Sequence, residues 1–369
     1  MMEERFDSSH ALYGADPLTL WRVWRRYGPV APERAHVLAR AFAAAIGRTP
    51  FSLAERVYEA VAPDPPGEPP PLFILGHWRS GTTHLYNVLS KADDAAFVSP
   101  FATALPHDFL LLGRLLAPIF ARRLPAHRYI DRVAVTRDAP QEDEIALANM
   151  TPVSFYHALY FPRHFEEIFG PSVFFDTLGK EERREWENRL TRFYRKLRIA
   201  QPGKRLIIKN PVYTARPAQM RRLFPEARFV HIHRDPFRVF VSMRNFYRQL
   251  LRQFALQPYD HLDIDEIVLS TYERMMDRYF AETRDWPEDR LVEIAFAAFE
   301  HDPMAEIERI YERLELDGLD RNRPTFAAYL KSVAGYRKNT YRAPEAEVRE
   351  KVERRWGRFL EHFGYGAEG

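Results

Sequence analysis

The chain contains no cysteine. That excludes disulfide staples, thiolate nucleophiles and Cys-ligated metal centres. It also lacks any apolar run of 18 residues, so nothing in it reads as a transmembrane helix. The opening residues, MMEERFDSSH, form no apolar signal region, and the expectation is a cytoplasmic protein. Charge of one sign is not in excess. The 54 Lys and Arg against 51 Asp and Glu leave a net charge of +3, too little to argue for nucleic acid as a partner. What is present suits a packed globular chain: 369 residues, 46% apolar and 28% charged, enough for one large α/β domain with a helical extension. The basic residues are mostly arginine, which favours planar recognition of phosphate or sulfate, although the base composition of the gene explains the same bias.

Residues 17 to 62 are predicted helical, with Leu18, Leu20, Trp21, Val23 and Trp24 opening one amphipathic segment and Ala35 to Ile46 a second. The run PDPPGEPPP, from Pro63 to Pro71, stops all helix and reads as a stiff connector. The expected division is therefore an N-terminal helical extension over 1–68 and a main domain over 69–369. In that domain Leu72 to Leu75 reads as a buried strand, Gly76 to Gly81 as a loop and Thr82 to Ser90 as a helix. Further strands are predicted at 96–98, 206–208, 228–233 and 291–296. Helices are predicted at 140–150, 179–199, 215–223, from Pro236 onward, at 263–284, 304–314 and 344–363. Strands alternating with helices imply an α/β fold, a central parallel sheet covered on both faces in three layers.

The loop after the first strand carries the chemistry. Gly76 and Gly81 in GHWRSGTT are separated by four residues, the spacing of a nucleotide P-loop, and a strand–glycine loop–helix unit converges backbone N–H groups and a helix dipole on one anion site. An ATPase or kinase loop needs Lys after the second glycine and then Ser or Thr for magnesium. Here Thr82 and Thr83 follow, and the cation, Arg79, sits inside the loop. That suits a donor with one phosphate bridged to a sulfate, which carries less charge than a triphosphate. Arg79 can stabilise charge on the bridging oxygen as it leaves.

Leu72 to Leu85, LFILGHWRSGTTHL, resembles the 5′-phosphosulfate loop of PAPS-dependent sulfotransferases, and is most similar to the bacterial and tyrosylprotein branches with their R-S-G-T-T pattern. The resemblance implies a P-loop-like fold, PAPS as co-substrate, no metal, and a donor site formed by Arg79, Ser80, Gly81, Thr82 and Thr83. RFVHIHRDPFRVFVSMR, from Arg228 to Arg244, resembles the family's 3′-phosphate motif and assigns that phosphate to Arg234 and Ser242. GYRKNTYR, from Gly335 to Arg342, stands where the family places a late basic loop, so Arg337 and Lys338 are further candidates. LIIKNP resembles the K-D-P element, whose lysine stabilises the transferring group; here it is Lys209, predicted at a strand end. The family's Tyr-Glu segment reads Phe296-Ala297, which leaves packing as the one contact Phe296 offers an adenine.

A base must take the acceptor's proton. The family uses a glutamate or a histidine just after the second strand, where this chain has His107 in VSPFATALPHD. RDAPQEDEIAL adds Glu142, Asp143 and Glu144. The expected order is Glu142, His107, Glu144. His231 and His233 share a strand face and lack a third metal ligand nearby, which favours a hydrogen-bonded role. The stretch 101–133 is rich in Leu and Phe. Phe109 to Leu112, Leu115, Leu116, Ile119 and Phe120 are edged by Arg114, Arg122 and Arg123. It reads either as a buried cap or as a lid for a lipidic or aromatic alcohol and a peripheral membrane contact. Phe155, Tyr156, Tyr160 and Phe161 would extend such a pocket, and a sugar alcohol is a further acceptor class. The competing functions are a P-loop kinase or NTPase, disfavoured by Thr82, and a non-catalytic nucleotide-binding scaffold, disfavoured by Arg79, Lys209 and Ser242 occurring together.

Overall fold

The computed structural model describes residues 10–63, 67–113, 139–334 and 346–365. The chain divides into two compact units. One, built of helices, comprises Met1–Glu68, Phe97–Lys204 and Arg248–Leu262; the other, Pro69–Ala96, Arg205–Tyr247 and Asp263–Gly369, holds the sheet.

The sheet has five strands: β1 Leu72–Leu75, β2 Ala95–Ala96, β3 Arg205–Lys209, β4 Arg228–His233 and β5 Leu291–Ala295. Their order is β2-β3-β1-β4-β5 and every pairing is parallel. All four residues of β1 are buried, as a central parallel strand requires. β3 and β4 flank β1, so the strand order reverses there, and the crevice beyond the carboxyl ends is the place where such sheets bind ligands. The register sets Ile74 beside Lys209 and Val230, and Leu75 beside His231. The expected strand at 96–98 is the two-residue β2.

The helical unit opens with α1, Pro17–Tyr27, and α2, Ala35–Val61. Asp16 caps α1, its carboxylate accepting from the Leu18 and Thr19 amides, with Pro17 at the first helical position. α2 runs well past Ile46 and carries Pro50 inside it. Two of the longer helices were not evident in the sequence. Phe165–Phe174 is apolar on nearly every side and contains Gly170 and Pro171, so no period shows. Leu319–Val333 has Pro324 within it.

The second half of α2 is held to its unit by charge. Arg48, Ser52, Glu55 and Glu59 recur every three or four residues and so share one face. Arg48 donates to Asp108 at 2.5 Å and Ser52 to the same carboxylate. The helix Lys180–Ala200 supplies the cations for the rest: Arg192 grips Glu59 with two 2.7 Å bonds, and Lys196, 0% exposed, pairs with the equally buried Glu55. Of the stretch 101–133, Phe109, Leu110 and Leu112 are buried core, as are Phe155, Tyr156, Tyr160 and Phe161. Arg114, Leu115, Leu116, Ile119, Phe120, Arg122 and Arg123 lie outside the described residues.

Removing one partner of a buried ion pair strands the other in a low-dielectric site. Lys196→Ala is expected to lower unfolding stability by about 3–5 kcal/mol in urea titrations. The double change Glu55→Gln with Lys196→Met should recover most of that loss; equal destabilisation by single and double changes would contradict the pairing.

Candidate functional site

β1 stops at Leu75 and the chain turns through Gly76 at φ 141°, Arg79 at φ 71° and Gly81 at φ 101°. Three left-handed positions within six residues curl the loop into a concave nest of N–H groups. A Cβ on Gly76 would stand 2.5 Å from the Ile232 carbonyl, and one on Gly81 would be driven into the Phe296 ring, so both glycines are required sterically as well as by φ. Ser80 closes the turn, its hydroxyl donating to the His77 carbonyl at 2.7 Å. Gly76 donates its N–H to the Thr214 hydroxyl at 2.7 Å. α3, Thr82–Leu89, then begins with Gly81 at its N-cap and no side-chain cap, leaving its first amides and positive dipole end to serve an anion.

Arg79 and Ser242 meet directly. The Arg79 Nε donates to the Ser242 hydroxyl at 2.8 Å, joining two motifs 163 residues apart in sequence. Arg234 follows β4, donates from Nη1 to the Arg79 carbonyl at 3.3 Å, and lays its guanidinium 4.7 Å from the centre of the Phe296 ring. Phe296 thus supports both Gly81 and Arg234. Lys209 ends β3 and is 3% exposed; the next residue, Asn210, caps the turn Pro211–Ala215 by accepting from the Val212 amide. Of the sequence-predicted donor residues, Arg79 to Thr83, Lys209, Arg234 and Ser242 all belong to the sheet unit, at the carboxyl ends of β1, β3 and β4 or on the elements that follow them. Arg337 and Lys338 lie outside the described residues.

His231 and His233 are engaged in hydrogen bonds: His231 with Glu293 at 3.1 Å, and His233 with the Tyr365 hydroxyl at 3.0 Å. Tyr279 donates to the same Glu293 oxygen at 2.8 Å. Burial, aided by the neighbouring His231, pushes His233 down to about 4. Burial does the same to His77 in the loop, also to about 4; its Nδ1 is bonded to the Trp78 carbonyl, and its Nε2 is buried without a hydrogen-bond partner. Among the described residues, no group of three or more His, Asp or Glu gathers to hold a metal ion.

The acid–base candidates belong to the helical unit. Glu142 is the half-buried N-cap of the helix Asp143–Ala148 rather than part of its first turn. Asp143 and Glu144 are fully buried, accepting from the Tyr194 hydroxyl at 2.5 Å and the Ser154 hydroxyl at 2.7 Å. His107 is buried, and its Nε2 lies 2.9 Å from the Asn149 carbonyl and 3.2 Å from the Asp16 carboxylate. Both neighbours are acceptors, so Nε2 carries the proton and acts as a donor.

A protein-family model described as the sulfotransferase family matches residues 70–321. The chain belongs to the sulfotransferase family. It is therefore an enzyme that moves a sulfuryl group to a hydroxyl acceptor. An omega-hydroxy-beta-dihydromenaquinone-9 sulfotransferase, Stf3, from strains of Mycobacterium bovis and Mycobacterium tuberculosis is 31% identical over 314 residues, covering 84% of this chain and 78% of Stf3. Among solved structures, sulfotransferase STF9 from Mycobacterium avium superposes with a TM-score of 0.68 at 17% identity, over 95% of this chain and 96% of that one. Sulfotransferase STF1 from Mycobacterium tuberculosis gives 0.63 at 15% identity, over 92% and 90%. At those identities the likeness establishes the fold: an α/β sulfotransferase with a central parallel sheet. No helix among the described residues is long and apolar enough to cross a membrane.

Two supports of this sulfotransferase's loop escaped the sequence reading. Thr214 holds the Gly76 amide, and nothing in KNPVYT marks it as a loop ligand. Phe296, which the sequence offers to an adenine only through packing, also forms the wall behind Gly81 and Arg234.

Gly81→Ala combines a forbidden φ with a collision against Phe296, and is expected to abolish nucleotide binding in calorimetry. Phe296→Ala in the same chain should relieve only the collision, so full rescue would show that φ is not the constraint. Acid titration tests the buried imidazoles. His77 and His233 have an ordinary value of 6.5 and sit at about 4 in the fold, so between those pH values the unfolded chain binds the extra protons. Stability is fully present above about 6.5 and is lost as pH falls toward 4. A urea midpoint that stays constant across that interval would contradict neutral burial.

Proposed function

We propose that the donor is PAPS and that the acceptor is a lipidic alcohol. The direct Arg79–Ser242 bond carries the donor assignment. It ties the phosphosulfate loop to the 3′-phosphate motif, as one nucleotide with phosphates at both positions would demand. In this reading the loop amides, Ser80, Thr82 and Thr83 hold the 5′-phosphosulfate, and Arg234 with Ser242 takes the 3′-phosphate, a guanidinium being suited to bidentate grip. The acceptor class is supported by Stf3, whose name specifies an omega-hydroxyl on a menaquinone and which is 31% identical across most of this chain.

The reaction is an in-line displacement, analogous to phosphoryl transfer. The acceptor oxygen attacks sulfur as the bond from sulfur to the bridging oxygen breaks, and PAP departs with the bonding pair. Negative charge grows on the bridging oxygen, and Arg79 and Lys209 are the cations assigned to it. The acceptor's proton passes to a carboxylate. Glu142 is the candidate we retain, because Asp143 and Glu144 already accept from buried hydroxyls and His107 presents a protonated Nε2.

PAP should bind the intact chain in calorimetry, and no heat at millimolar PAP would end the donor assignment. Arg79→Ala and Lys209→Ala are each expected to reduce kcat about 10²–10³-fold. Glu142→Gln should lose turnover while PAP affinity is kept, and unchanged turnover in that variant would remove it from the mechanism.

A further inference from the structure

Surface helices ordinarily turn apolar residues inward and charges outward. The second half of α2 does the opposite. Its charged seam of Arg48, Glu55 and Glu59 faces its own unit, and Glu55 and Glu59 are 0% and 6% exposed. Its outer face carries Ile46, Phe51, Leu53, Val57, Tyr58 and Val61, with Leu53, Val57 and Val61 at 55%, 67% and 75% exposure. Every other exposed position from Ile46 to Val61 is glycine, alanine or proline, except Arg56. The neighbouring α1 exposes Leu18, Trp21 and Trp24. Among the described residues, these nine on α1 and α2 are all of the large apolar side chains that are exposed.

Neither helix exposes an acidic residue of its own. The exposed charged residues of α2 are Arg40 and Arg56. At about 100° per residue they fall on opposite edges of the stripe through Ile46, Leu53 and Val57. α1 contains Arg22, Arg25 and Arg26 and no acidic residue; Arg22 pairs with Glu185 at 2.7 Å and Arg26 with Glu182 at 3.2 Å, and Arg25 lies over the exposed Trp21 ring. Trp24 rests edge-on against Phe42 of α2 at 6.2 Å, so the apolar residues of the two helices adjoin. An apolar stripe edged by arginine, with Trp and Tyr at its margins, is the chemistry of a helix lying in the headgroup layer of an anionic membrane. A second copy of the chain fits less well, because a two-fold contact sets the same patch against itself and would face arginine with arginine.

We propose that α1 and α2 form a docking surface for an anionic lipid bilayer. The inference rests on the outer faces of these two helices alone and stands whatever the acceptor proves to be. It adds a membrane-facing surface on the N-terminal helices, separate from the stretch 101–133.

The test is co-sedimentation of the full chain with vesicles of phosphatidylcholine alone or mixed with an equal part of phosphatidylglycerol. Binding is expected to the mixed vesicles and to weaken with added salt. Leu53→Glu with Val57→Glu should lower affinity more than tenfold, and Arg40→Gln with Arg56→Gln by on the order of tenfold on the anionic vesicles. Both pairs are exposed, so the thermal midpoint should match that of the parent chain and report folding independently. Absence of binding to mixed vesicles, undiminished binding by the glutamate pair, or a self-associated dimer that the glutamate pair dissociates without any vesicle binding would each overturn the proposal. PAP calorimetry on the same variants keeps this outcome separate from the donor assignment, since loss of vesicle binding should leave PAP affinity unchanged.

Discussion

The constraint on which the sheet unit depends is the turn that follows β1. A central parallel strand ends among its neighbours, and the chain must reverse at once to start α3. It does so with Gly76, Arg79 and Gly81 at positive φ. The two glycines accept that geometry without steric cost; Arg79 does not, since a side chain at φ 71° is normally unfavourable by of order 1 kcal/mol or more. The surroundings offset it. The Arg79 guanidinium is bonded to Ser242 and its carbonyl to Arg234, so the strained residue is held at both ends by the element that follows β4.

Charge in the donor region follows from the same turn. Where an ATPase loop relies on lysine and magnesium, the proposed donor site distributes cation among side chains on three strand ends: Arg79 after β1, Lys209 on β3 and Arg234 after β4. Each is anchored to backbone whose position is fixed by strand register, which sets Lys209 beside Ile74 and Val230 on the other side of that residue. Strand ends are precise mounts, and charge-stabilising groups are effective in proportion to how little they must move as charge develops.

Sequence legibility followed one rule: features written in residue type were readable, and features created by strand order were not. GHWRSGTT announced its anion nest because glycine is the residue that positive φ demands. In RFVHIHRDPFRVFVSMR, Asp235-Pro236 marks the helix start, and the resemblance to the family's 3′-phosphate motif singles out Arg234 and Ser242. Thr214 and Phe296 were opaque as loop supports. Their contacts with Gly76 and Gly81 exist because β3 and β5 occupy given places in the sheet, and that order is not encoded locally. The acidic cluster QEDE showed three equivalent carboxylates in sequence. Folding made them unequal, burying Asp143 and Glu144 against hydroxyls and leaving Glu142 as a half-buried cap. α2 shows a different limit. Periodicity separates the faces of a helix but does not say which one turns inward, and here the inward face is the charged one.

That inversion also explains why a net charge of +3 said so little about partners. The acids of the helical unit are drawn into internal pairs: Glu55 to Lys196, Glu59 to Arg192, Asp108 to Arg48. Each pair holds a buried carboxylate inside the fold, and in Glu55–Lys196, where both members are buried, salt screening has little effect. Arg25, Arg40 and Arg56 are exposed on α1 and α2, and neither helix exposes an acid of its own, so a nearly neutral chain carries an apolar face edged by arginine. A water-insoluble alcohol is concentrated in membranes, and an enzyme whose helical unit rests on an anionic bilayer meets such a substrate at the surface concentration rather than at its negligible solubility. The docking face and the lipidic acceptor are separate inferences, drawn from different residues. Together they assign the buried charge on one side of α2 a purpose: it holds the helix firmly enough for the apolar side to be left in the open.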